Sequence, residues 1–467
     1  MSRNIKEEIE FTCSEGKTMI SFLRNLMKEE RGLARHADEV NSLRKELDVK
    51  ISTLSDEGEL SRLNVIYDKI FEKGKEIGKE YIEKGHYDEL VTVKVYQFIG
   101  TRLFKMKLTD AWRGKMEKKS GFKKEEKEAL NAIIFIMLLV HRQEIEGKPF
   151  NKSACIGYIL HRILKKSYTW DAKPENKRRL REEICNYDFC EMRYVKKESV
   201  QEAGLLFITQ IFEMAQRISD EEKQLFETAK AIVNQVEFKQ IRDSIFLEER
   251  EDTRTQLLVE WKRRGADNYV TNDMESLFDR IGWGRNTVRW QGYAYVLDCN
   301  ILAHMLETAV FGWLMALEEN NLKKAEDAFF VGLFHDLPEL WTDDIPSPCK
   351  DSIRDEKGHE IRDVTGKLEE EALEKYFYPH LRNEVAEYFR RNIIFESIGD
   401  EDFYKFMKKA DYFSADYELW WNICMGSREL DFYKIIVQSA TYHRTPETQK
   451  VLEYMRDSLA GINFLRP

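Results

Sequence analysis

Residues 330–350 read FVGLFHDLPELWTDDIPSPCK. An apolar run ends in His335-Asp336, Glu339 follows four residues after the histidine, and Asp344 stands before Ile-Pro-Ser-Pro. The chain has only 8 prolines, and Pro338, Pro346 and Pro348 all fall in this stretch, so the backbone changes course here. A divalent ion that activates water takes neutral imidazoles and carboxylates as ligands and keeps positions open for water and substrate. His335 and Asp336 are one such pair. Alone, the pair suits a helix-end cap equally well, so partners elsewhere must decide.

Working outward, apolar residues at helical spacing predict three helices around the pair. One runs through residues 288–319 (VRWQGYAYVLDCNILAHMLETAVFGWLMALEE) and carries His304. A second, residues 325–340, carries His335 and Asp336, and a third, residues 403–422 (FYKFMKKADYFSADYELWWN), carries Asp411. His304 shares its face with Leu297, Ile301, Thr308 and Phe311, a setting that suits a core histidine as well as a ligand. Asp416 is a rival to Asp411, but five residues turn a helix by about 140°, so the two cannot face one ion.

The order H…HD…D, His304 then His335-Asp336 then Asp411, resembles that of the HD-domain metal-dependent phosphohydrolases. HDLPELWTDDIPSPCK is similar to the H-D-x-x-E-x-x-x-x-D-[IL]-P-x-P-x-K segment of the YfbR-like 5′-deoxynucleotidases, and Arg289-Trp290 precedes His304 by fifteen residues, as that family's Arg-Trp pair does. The resemblance covers about residues 280 to 460, some two-fifths of the chain. It implies that His304, His335, Asp336 and Asp411 hold a divalent ion, with cobalt, manganese, magnesium, zinc, iron and nickel all open. It implies Glu339 and Arg289 as the catalytic pair: Glu339 one helical turn after His335 to move a proton, Arg289 to grip the phosphate through its planar fork. Arg289, Trp290, Asp336, Asp344, Ile345, Pro346, Ser347 and Lys350 are the implied substrate contacts. Asp343 departs from the family, which often has glycine there. Other HD branches fit less well: the guanosine polyphosphate hydrolases typically place an acidic residue where this chain has Leu340, and the dGTP triphosphohydrolases and cyclic-di-GMP phosphodiesterases follow HD with a glycine-containing signature.

Composition agrees with a helical chain. Charged residues make up 34% of the 467, against 23 glycines, which favours long helices over strand-and-turn architecture. The expected fold is all-α: an HD-type bundle over residues 276–467 after a helical region over 1–275, with a break near RRGADNYVTND, 263–273. The run AIIFIMLLV, 132–140, is about half the length that spans a bilayer and reads as a buried helix. Seven scattered cysteines with no C-x-x-C pair suit free thiols, and the N-terminus lacks the apolar core of a signal peptide, so the expected setting is cytoplasmic, with no membrane partner. A net charge of −10 argues against a stable nucleic-acid partner. A homodimer is left open.

Within 1–275, GYILHRILKKSYTWDAKPENKRRLREE echoes the opening segment, placing His161 at the His335 position, Arg162 at Asp336 and Lys165 at Glu339; later, Ile232 stands at the Asp411 position. This is either a degenerate HD-like copy (around 85–250) or chance similarity between charged helices. Both readings leave no intact metal site there, and predict that residues 1–275 pack through apolar helix faces and supply no catalytic group. The expected activity is metal-dependent hydrolysis of a nucleotide phosphate ester, foremost a deoxynucleoside 5′-monophosphate. Nucleoside triphosphate hydrolysis and non-catalytic nucleotide sensing are the rivals; Glu339 favours an enzyme, since a sensor needs no acid/base.

Overall fold

The computed structural model describes residues 5–29, 31–51, 57–84, 87–109, 123–168, 174–183, 187–242, 245, 247–290, 293–342, 361–394, 400–427, 429–439 and 445–459. Among these, the chain forms twenty α-helices and no β-strand, with an isolated antiparallel bridge between Val288 and Asn300. The all-α expectation holds.

The most apolar run lies in the Lys124–Glu146 helix, where Ala132 to Val140 are all buried. That helix packs along Asp220–Ile241 on one side and against Ile301–Glu318 on another. Ile301–Glu318 is long and apolar enough to cross a membrane, but nearly all of it is buried in the helical core. It is the central helix of the C-terminal bundle, flanked by Leu322–Gly332 and Glu401–Cys424.

Two expected helices are shorter than their periodicity suggests. The helix expected over 288–319 begins only at Ile301. Asn300 caps it, its side chain accepting from the Ala303 amide at 3.1 Å, and Asn300 also bridges back to Val288. Around that bridge the Arg289 amide donates to the Cys299 carbonyl at 2.8 Å, and Trp290 takes a left-handed φ of 63°. A continuous helix allows neither, so apolar content alone imitated the helical pattern here. The helix expected over 325–340 stops at Gly332 and gives way to tight turns, with the Leu337 amide bonded to Phe334 and the Glu339 amide to Asp336. Pro338 has no amide hydrogen and pushes the residue before it out of helical geometry. Helix resumes only over Glu339–Thr342.

Gly332 fixes how the two helices meet. A Cβ there would lie 2.6 Å from Ala309 Cα on the central helix, so only glycine permits the approach. The turn after it is thereby laid against the central helix near His304.

The two parts of the chain share one interior. A single hydrophobic cluster runs from Cys13 to Met455. Asn300 Nδ2 donates to Glu126 at 2.6 Å, Tyr96 donates to Glu318 at 3.1 Å, and Lys152 pairs with Asp327 at 2.7 Å. Near the expected break, the Leu247–Arg263 helix ends, Gly265 turns the chain at φ 66°, and Thr271 caps the next helix.

Candidate metal centre

Three helix ends and faces deliver the candidate ligands to one place. His304 lies in the first turn of the central helix, His335 and Asp336 lie in the turn after Gly332, and Asp411 lies midway along Glu401–Cys424. Ligand atoms of His304, His335 and Asp336 all fall within 4.8 Å of one another. Asp411 Oδ1 approaches both imidazoles, at 3.0 Å from His304 Nε2 and 3.7 Å from His335 Nε2. Asp336 does the same from the other side, at 3.5 and 3.3 Å.

Hydrogen bonds behind the imidazoles set which nitrogen faces inward. His335 Nδ1 sits 2.8 Å from the Gly332 carbonyl, which can only accept, so Nδ1 carries the proton. Its Nε2 is left buried without a hydrogen-bond partner, aimed between Asp336 and Asp411. The Ser414 hydroxyl donates to the Asp411 carbonyl at 2.9 Å and so accepts from His304 Nδ1 at 3.2 Å. His304 Nε2, 3.0 Å from Asp411 Oδ1, and His335 Nε2 thus converge with two carboxylates. A buried, unpartnered nitrogen beside two carboxylates fits a divalent ion, and the set without thiolate suits Mn²⁺, Co²⁺, Fe²⁺ or Ni²⁺ as well as Zn²⁺.

Neighbouring charges shape the protonation of this cluster. Burial works against the Asp411 carboxylate, but Lys408, with Nζ at 3.1 Å, and the two imidazoles hold it well below the usual range. Asp336 is lowered likewise: burial opposes its charge, and His335, Arg289 and His304 outweigh burial. Burial disfavours the His335 imidazolium, yet Asp336 and Asp411 raise that histidine above its ordinary value. Protonated His335 and a bound cation therefore compete for the same two carboxylates.

Arg289 belongs to the same cluster: Nη1 donates to Asp336 Oδ2 at 2.7 Å, and Nε lies 3.5 Å from Glu418. Trp290 donates from Nε1 to Glu418 at 3.2 Å and packs edge-on against Tyr293 and Phe432. Its left-handed backbone costs about 1–2 kcal/mol for a residue with a side chain. That cost buys the turn which folds Arg289 back onto Asp336. Glu339 is buried at the start of its short helix. Asp344, Ile345, Pro346, Ser347 and Lys350 lie outside the described residues.

The candidate set omits several side chains that complete this cluster. Lys408 stands in the KKAD segment itself. Glu418 is seven residues after Asp411 and Glu307 three after His304, spacings that keep a helix face and could have been read. Lys107, which touches both glutamates, comes from another part of the chain and leaves no local signal. At the echo around His161, Arg162 pairs with Glu128 at 3.2 Å and Lys165 with Glu191 at 2.9 Å. His161 packs edge-on against Phe212, and burial pushes it down to about 4. Ile232 is buried, and no metal-ligand group includes His161 among the described residues. Among the described residues, only His36, Glu76 and Glu80 form such a group apart from this site, and His36 is already bonded to Glu80 at 2.8 Å.

No curated protein and no solved structure matches the chain. Residues 280–459, which hold every candidate ligand, match a family model, and by that match the C-terminal part of the chain is similar to the hydrolase family described as 5′-deoxynucleotidase YfbR-like.

Proposed function

We propose that this protein is a metal-dependent phosphohydrolase acting on a nucleotide, foremost a deoxynucleoside 5′-monophosphate. The observation that carries the proposal is the buried Nε2 of His335, directed with His304 Nε2 at the carboxylates of Asp336 and Asp411. His304, His335, Asp336 and Asp411 would hold the ion, with both imidazoles fixed through Nδ1. When bound there, a divalent ion supplies an acidified water and a Lewis acid for a phosphoryl oxygen.

The chain's own residues do the rest. Arg289 sits one hydrogen bond from Asp336, so its guanidinium meets a phosphate lodged beside the ligands. Lys408 adds a second cation next to Asp411. Together they attract a dianionic phosphate into a protein of net charge −10. Glu339, buried in the turn that carries His335 and Asp336, is the group to move a proton between attacking water and leaving oxygen. Trp290, held by Glu418, would pack near the sugar. The similarity of residues 280–459 to a nucleotidase family supports the substrate class.

The test is phosphate release from nucleoside mono-, di- and triphosphates, in ribo and deoxy forms, with Co²⁺, Mn²⁺ and Mg²⁺. Turnover of deoxynucleoside monophosphates ahead of triphosphates is the expected result. Preference for triphosphates would move the assignment to the triphosphate branch. Tight nucleotide binding with no phosphate release under any metal would make the protein a sensor.

A further inference from the structure

His304 has a second face. Its Nε2 points at the proposed ion, and its Nδ1 lies 3.8 Å from Glu418 Oε2. That carboxylate oxygen also accepts from Trp290 Nε1 and stands 3.5 Å from Arg289 Nε, so one buried glutamate touches a ligand, the phosphate-binding arginine and the tryptophan. The other oxygen of Glu418 lies 3.5 Å from Lys107 Nζ, which is 2.9 Å from Glu307 and 3.9 Å from Glu125. All four of these side chains are buried. His304, Glu307 and Glu418 are close enough together to hold a metal ion, but the ammonium of Lys107 already contacts both carboxylates.

Lys107 ends the Val93–Lys107 helix and Glu125 begins Lys124–Glu146, both well before the family match at 280–459. We propose that Lys107 is a positioning residue for the active site: a fixed cation, supplied by the N-terminal region, that holds Glu418 so that Glu418 orients His304, Arg289 and Trp290. The proposal rests on the phosphohydrolase reading above. Its physical basis is the cost of a buried carboxylate without a countercharge. Deprived of Lys107, the Glu418 carboxylate turns to its remaining cation and draws the Arg289 guanidinium away from the substrate side, which also shifts the oxygen that holds Trp290 and lies beside His304. An ammonium on a covalent stem serves better here than a second metal ion. It cannot dissociate, and its three donors can engage Glu418, Glu307 and Glu125 together.

The experiment uses the full-length chain loaded with Co²⁺, comparing wild type with Lys107→Met, Lys107→Arg, Glu418→Gln and the double variant Lys107→Met/Glu418→Gln. The readouts are the Co²⁺ dissociation constant, the visible Co²⁺ spectrum, and kcat and KM for a deoxynucleoside monophosphate. Lys107→Met is expected to weaken Co²⁺ binding by about 10- to 100-fold, the usual effect of losing an outer partner of a metal ligand, and to change the spectrum. Lys107→Arg restores most of both. If the lysine acts through Glu418, the double variant matches Glu418→Gln within about 2-fold, because the two residues form one unit. That comparison also decides the matter if Lys107→Met alone does not fold. An unchanged Co²⁺ affinity and spectrum in folded Lys107→Met, or losses that multiply in the double variant, overturns the assignment. A wild type that takes up no Co²⁺ overturns the function itself and the proposal with it, whereas a metal-loaded, active wild type with an indifferent Lys107→Met sinks only the role of Lys107.

Discussion

His335 is the residue at which proton and metal meet. Nδ1 is tied to Gly332, so only Nε2 can exchange one cation for another. Because Asp336 and Asp411 raise His335 above its ordinary value against the effect of burial, the protonated form stabilises the metal-free fold. That stability is fully present below the unfolded value of about 6.5 and is lost as pH rises through the higher folded value. Metal-stripped protein should therefore lose thermal stability across that upper range, and metal-loaded protein should not. Melting temperatures with and without chelator would expose the difference, and parallel pH profiles would contradict it. At Glu339 the expectation is kinetic. Glu339→Ala should keep metal and nucleotide affinity but lower kcat by about 10²–10⁴, and near-normal kcat would make Glu339 a structural residue. Much at this scale was legible in the sequence. An adjacent His-Asp pair, a histidine 31 residues earlier and an aspartate beyond are chemistry written in residue types. Lys107 was not legible, because a lysine ending a helix looks the same whether it faces solvent or three buried glutamates.

Helix ends and turns, more than helix faces, determine the site. Periodicity located the central helices but extended two of them through the segments that carry Arg289, His335 and Asp336. Both errors have one cause. Apolar residues that pack a turn against a core repeat much like those of a helix, and backbone bridges such as Val288 to Asn300 have no periodic signature. Gly332 tests this scale. Gly332→Ala forces a methyl group against Ala309 backbone, so a destabilisation of about 1–3 kcal/mol is expected, the usual cost of overpacking. Because the His335 turn follows directly, metal affinity should fall in the folded fraction as well. Denaturant melts and metal titration of the same sample check both parts, and a variant of unchanged affinity would show that the turn is positioned by something other than helix contact.

The shared interior makes the whole molecule the working unit. Residues 280–459 carry the family similarity, yet the apolar Lys124–Glu146 helix packs against Ile301–Glu318 within them, and Glu126 holds the cap of the His304 helix through Asn300. A fragment starting near Tyr269 would expose that interface. It should fail to fold as a cooperative unit, as read by circular dichroism and melting, and a well-folded fragment with full activity would contradict the shared core. The sequence could suggest apolar packing between the parts, but a contact between distant helices leaves no mark in either. In the proposed function, His304, His335, Asp336 and Asp411 together bind one divalent ion. Elemental analysis of the full-length protein beside its His335→Ala variant, after loading and desalting, tests it most directly. About one equivalent of metal is expected in the wild type and almost none in folded His335→Ala; a full equivalent retained by that variant would contradict binding by these four residues.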